Sequence, residues 1–110
     1  MATNAPAQAR LADQSIADQG ASGYTANYVY KLAAGHTVRV RIHRDSYARQ
    51  SFARVEVLTP ALTWTELATA PVDEWHEVMP ARYATRRAEA LEFLAEMALV
   101  LVDRASDILA

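Results

Sequence analysis

From Thr37 to His43 and again from Phe52 to Leu58, apolar and polar residues alternate one for one. Val38, Val40 and Ile42 leave one side of the first run while Arg39, Arg41 and His43 leave the other. Ala53, Val55 and Val57 oppose Phe52, Arg54 and Glu56 in the second. A strict period of two is the signature of a half-buried strand, so the two runs predict a β-hairpin with one aliphatic face and one arginine-rich face. The phases of the runs differ, and this restricts the register. Even-numbered Val38, Val40 and Ile42 must share a face with odd-numbered Ala53, Val55 and Val57. One such register pairs Val40 with Val55, Val38 with Val57 and Arg39 with Glu56, and sets Arg41 opposite Arg54.

A preceding strand is predicted over 24–32, with Tyr24, Ala26, Tyr28, Tyr30 and Leu32 on one side and Thr25, Asn27, Val29 and Lys31 on the other. Ala34-Gly35 supplies its turn. Thr59-Pro60 ends the third strand, because proline cannot donate to a ladder. A shorter fourth strand fits 62–68, in which Leu62, Trp64 and Glu66 alternate with Thr63, Thr65 and Leu67. After Ala70-Pro71 an acidic connector carries Trp75, His76 and Met79. Pro80 then introduces a helix expected over 81–108, about 40 Å long. Leu91, Leu94, Ala98, Leu101, Ala105 and Ile108 recur at three- and four-residue spacing, the seam that docks a helix on a sheet. Phe93, Met97 and Val100 fall outside that seam and are expected at a contact with a second copy of the chain.

The expected fold is therefore α+β: a four-stranded antiparallel meander followed by one long C-terminal helix packed on one face. Residues 1–22 read as a flexible N-terminal tail and 23–110 as a single domain. Leu11 and Ile16 are the only large aliphatic side chains of that tail, too few to offset the entropy of ordering it, although residues 9–19 could form a marginal helix on a partner. The Gly20-Ala21-Ser22-Gly23 stretch reads as a hinge.

Composition narrows the class. The chain has 110 residues and no cysteine, which removes disulfides, thiolate nucleophiles and cysteine-based metal sites and matches a reducing interior, so a cytoplasmic location is expected. The longest strongly apolar run, Met97 to Val102, is far below the roughly 20 residues that cross a bilayer, so no membrane association is expected. A net charge of −2 conceals segregation. Six bases and one acid lie between Gln19 and Val55, then five acids and neither lysine nor arginine between Glu56 and Glu77. A near-neutral total argues against a nonspecific duplex-DNA coat.

No residue pattern carries a catalytic, metal or cofactor signature. His36, His43 and His76 are scattered, and His76-Glu77 lacks the second histidine of a zinc-protease helix. Three glycines supply no phosphate loop, the serines lack a nucleophile elbow, and Asp73-Glu74 sits in a polar connector. The arginine face is the candidate site. Arg39, Arg41 and Arg54 project together, Arg44 and Arg49 flank the tip, and Tyr47 and Phe52 lie beside them in sequence. Cations interleaved with aromatic rings on a sheet are what a single-stranded nucleic acid needs, because guanidinium groups follow phosphates while rings stack on bases, and the face suits an anionic ligand, nucleic acid or acidic protein. The Tyr24, Tyr28 and Tyr30 stripe is expected to be packing surface.

A sheet followed by one long helix resembles, in element order over residues 24–108, the Whirly family and the positive-cofactor transcription proteins. Those proteins bind single strands on a sheet and pair through helices; no sequence motif of either is matched here. The expected function is a small non-enzymatic binding or inhibitor-type protein engaging a protein partner, with a homodimer through the helix. Single-stranded nucleic-acid binding on the same arginine face is the alternative.

Overall fold

Alternation and tight turns build a meander. The computed structural model describes residues 9–110, and within them five antiparallel strands form one sheet in the order β1-β2-β3-β4-β5: β1 Arg10–Asp18, β2 Tyr24–Lys31, β3 Thr37–Arg44, β4 Phe52–Leu58 and β5 Trp64–Thr69. Helix α1, Arg87–Leu109, follows and lies chiefly over β3, β4 and β5. The β3–β4 register is the one set out above among those that parity allows: Val38 faces Val57, Arg39 faces Glu56, Val40 faces Val55 and Arg41 faces Arg54. No helix among the described residues is long and apolar enough to cross a membrane.

The sheet has five strands where alternation predicts four. The additional one is β1, drawn from the segment read as a tail; the first eight residues of that segment lie outside the described residues. Leu11 and Ile16 sit an odd number of positions apart, so alternation cannot place both on one face. An irregularity between Leu11 and Asp13 resolves this, with Ala12 as the extra residue: Leu11 pairs with Tyr30 and Ile16 with Ala26, both on the core side. The apparent hinge is a turn. Gln19 N–H donates to the Gly23 carbonyl (2.8 Å), and Gly23 adopts φ 103° against β3, where a Cβ would lie 1.8 Å from the Arg44 carbonyl oxygen. Only glycine fits there.

The core lies between sheet and helix. Tyr24, Ala26, Tyr28 and Tyr30 of β2, Val38, Val40 and Ile42 of β3 and Ala53 and Val55 of β4 meet Ala90, Leu94, Met97, Ala98, Leu101, Val102 and Ala105 of α1. The tyrosine stripe is thus core. Burial pushes the Tyr24 and Tyr28 hydroxyls up to about 12 and raises Tyr30 as well, and Tyr24 donates a 2.7 Å hydrogen bond to the Pro80 carbonyl.

The helix also begins later than Pro80 suggests. Pro80 is buried and its carbonyl is held by Tyr24, so the chain continues across the sheet end before turning helical at Arg87. There Arg86 makes a bidentate pair with Glu89 at 2.6 and 2.8 Å, which places an acid in the first turn and offsets the unfavourable arginines at the positive end of the helix dipole. The buried seam is shifted from the expected one: Met97 and Val102 point inward, and Ile108 is exposed.

Candidate anion-binding face

The face of the sheet opposite α1 presents side chains in transverse rungs, because paired residues of antiparallel neighbours project to the same side. One rung reads Ser15, Asn27, Arg41, Arg54 and Thr69 from β1 to β5. Each of these side chains carries a hydrogen-bond donor and none an acid. A neighbouring rung reads Asp13, Val29, Arg39, Glu56 and Glu66, and on the other side lie Ala17, Thr25, His43 and Phe52. At about 4.8 Å between strands the donor rung spans about 19 Å.

Its cations are not equivalent. Glu56, buried on this face, accepts a hydrogen bond from Arg39 Nε at 2.9 Å, is ion-paired with Arg39 Nη2 at 2.8 Å, and lies 3.5 Å from Arg54 Nε. That last contact is an ion pair without hydrogen-bond geometry, which leaves Arg54 Nε buried and unsatisfied. Arg41 has no acidic partner among the described residues. Rings separate the cations: Arg39 stacks on Trp64 at 4.3 Å, Arg54 on Phe52 at 4.4 Å, and Arg41 approaches the same Phe52 at 5.8 Å. His43 lies 5.7 Å from Phe52 and is held by Thr25 (2.7 Å) and Asp45 (3.2 Å). Asp45 in turn is kept below the usual carboxylate range, first by the Tyr47 N–H and then by His43.

Of the seven residues expected at this face, the structure gathers Arg39, Arg41, Arg54 and Phe52. Arg44 goes elsewhere. Its even number puts it on the core side, where it is buried and donates to the Asp45 carbonyl (2.6 Å) and the Met79 carbonyl (3.3 Å). With His76 Nε2 donating to the Asp45 carbonyl at 2.9 Å, it fastens the connector to the end of β3. Tyr47 and Arg49 form their own exposed pair in the β3–β4 connection, 5.9 Å apart, beside a turn closed by Ser51 on Asp45.

Three members of the face escape sequence reasoning. Trp64 shares parity with Glu66, and that polar neighbour was the available signal that the ring faces away from the core. Thr69 is brought into the rung by the irregularity between Val55 and Glu56, where Leu67 is the extra residue, and Ser15 by β1. On α1, Phe93 is half-buried and Val100 exposed at the margin of a groove, whereas Met97 is turned into the core at 9% exposure and belongs to both.

Among the described residues no group of three or more histidines and carboxylates is placed to hold a metal ion. Comparison with protein-family models, with curated proteins and with solved structures finds no match for this chain.

Proposed function

We propose that this chain is a small non-enzymatic binding protein of the cytoplasm. Its outer sheet face engages an acidic segment of a protein partner, and its helix joins it to a second copy. The observation that carries the reading is the donor rung: Arg41 stands opposite Arg54, flanked by Asn27 and Thr69, with no carboxylate of its own. Like charges paired across strands are unfavourable, and a carboxylate bridging the part-exposed guanidinium groups of Arg41 and Arg54 relieves that repulsion.

Two features favour a peptide carboxylate over a phosphate chain. Arg39 and Arg54 already occupy one face of Trp64 and Phe52, which bases would otherwise use for stacking. Asp13, Glu56 and Glu66 line the adjacent rung, so a polyanion broader than one rung meets negative charge. Single-stranded nucleic acid remains the second reading, supported by two aromatic rings interleaved with three arginines on one open sheet face.

Fluorescence anisotropy with a labelled oligoglutamate peptide and a labelled oligothymidylate tests both. The expected result is peptide binding with shallow salt dependence, weakened at least about tenfold by Arg41→Gln with Arg54→Gln. Oligothymidylate binding that falls by orders of magnitude between about 50 and 200 mM salt selects the second reading. Binding of neither probe, or binding indifferent to the double substitution, removes the face from the argument.

A further inference from the structure

The helix carries a second surface. Between α1 and the connector lies a groove of about 240 Å³ bordered by Trp75, Phe93, Met97, Val100, Glu96 and Arg104. Its mouth is apolar: Val100 is 51% exposed and Phe93 half-buried. At the edges stand two acids, Glu96 on the helix and Glu74 on the connector, and one base, Arg104, all exposed and none with an ion-pair partner in its own chain among the described residues. Arg104 is nonetheless held in position, because Nη1 donates to the Thr69 carbonyl at 3.0 Å.

The spacing of these groups selects the occupant. Glu96 precedes Val100 by four residues and Arg104 follows it by four, about 6 Å along the axis on either side and on one stripe of the helix. A twofold axis through Val100 is isologous: whatever residue 96 meets in the partner, the partner's residue 96 meets in return. An antiparallel helix laid on this stripe therefore sets Glu96 against the partner's Arg104 and Arg104 against the partner's Glu96, with Val100 against the partner's Val100. A parallel arrangement would oppose like charges at both positions.

We infer that the occupant of this groove is a second copy of the chain, its α1 antiparallel to the first and centred on Val100. The inference rests on the reading of α1 as a contact between copies and is independent of the anion-binding face. Two outer sheet faces are then presented by one dimer, which lets a partner with repeated acidic segments bind both at once.

Charge reversal tests the arrangement. By light scattering and analytical ultracentrifugation the full chain is expected to be a dimer at micromolar concentration. Glu96→Arg and Arg104→Glu, each alone, are expected to raise the dimer Kd at least about tenfold, and the two together to restore it. Both positions are exposed, and circular dichroism of each variant confirms that the fold is retained. Val100→Cys is expected to form a disulfide-linked dimer on mild oxidation, since a bridge needs Cα atoms within about 7 Å. A wild-type monomer overturns the dimer and this arrangement together. A dimer that ignores both single reversals, or does not crosslink at position 100, overturns the arrangement and leaves self-association standing. Neither outcome bears on binding to the sheet face.

Discussion

The two faces of strand β3 are built from the same stretch of backbone and held by different physics. Val38, Val40 and Ile42 are fully buried under α1, while Arg39, Arg41 and His43, one residue out of phase, are half-buried in a lateral network of rings and charges. The inner face gains from water exclusion, which is nondirectional and scales with apolar area. The outer face gains from contacts that depend on partner and distance: a guanidinium over a ring, a carboxylate shared by two arginines. Damage inside should therefore cost stability. Damage outside should cost recognition, except where it removes the one acid that balances the network.

The largest effect is expected inside. Leu101 is fully buried at the helix–sheet contact, so Leu101→Ala should lower unfolding free energy by about 2–5 kcal/mol in urea titration. The outer variants should leave the urea m-value unchanged, since the surface exposed on unfolding stays the same.

Alkaline pH probes the same inner face without mutation. The Tyr24 and Tyr28 hydroxyls are pushed up to about 12 by burial, above the ordinary value of 10.0, so the folded state retains protons that the unfolded chain loses. Their contribution is complete below pH 10 and is lost as pH rises through about 12. Thermal melts should fall steeply across that window, and Tyr28→Phe should flatten the fall. A pH-independent melting temperature there would contradict the burial of the tyrosine stripe.

Glu56→Gln sharpens the comparison from the outer side. It removes the charge shared by Arg39 and Arg54, and with a buried acceptor lost the cost should be about 1–3 kcal/mol, read by the same urea titration. The substitution should also tighten binding of an acidic peptide by freeing two cations.

The smallest effect on stability belongs to Arg41→Gln. Arg41 faces Arg54 and has no acidic partner among the described residues, so the substitution should change unfolding free energy by less than about 0.5 kcal/mol, or stabilise slightly. A loss as large as that from Glu56→Gln would show that Arg41 is a structural member of the network, not a free cation.

Regular alternation made the centre of this protein legible from its sequence. Alternation specified which face of β2, β3 and β4 is core and narrowed the β3–β4 pairing to a few registers, among them the one that sets Arg41 opposite Arg54, because a strand's side chains alternate wherever backbone hydrogen bonding continues unbroken. Apolar spacing announced a docked helix for the same reason. What tertiary structure decided lies where that periodicity fails. The extra residues Ala12 and Leu67 shift the phase of β1 and β5, so the edge strand read as a tail, and Ser15 and Thr69 joined the outer face only once the neighbouring strands were paired. Arg44 continues the alternation of β3, yet its buried position depends on carbonyls of Asp45 and Met79, and Met79 lies 35 residues onward. A buried guanidinium requires acceptors, and one of the two here comes from the connector folded back over the sheet.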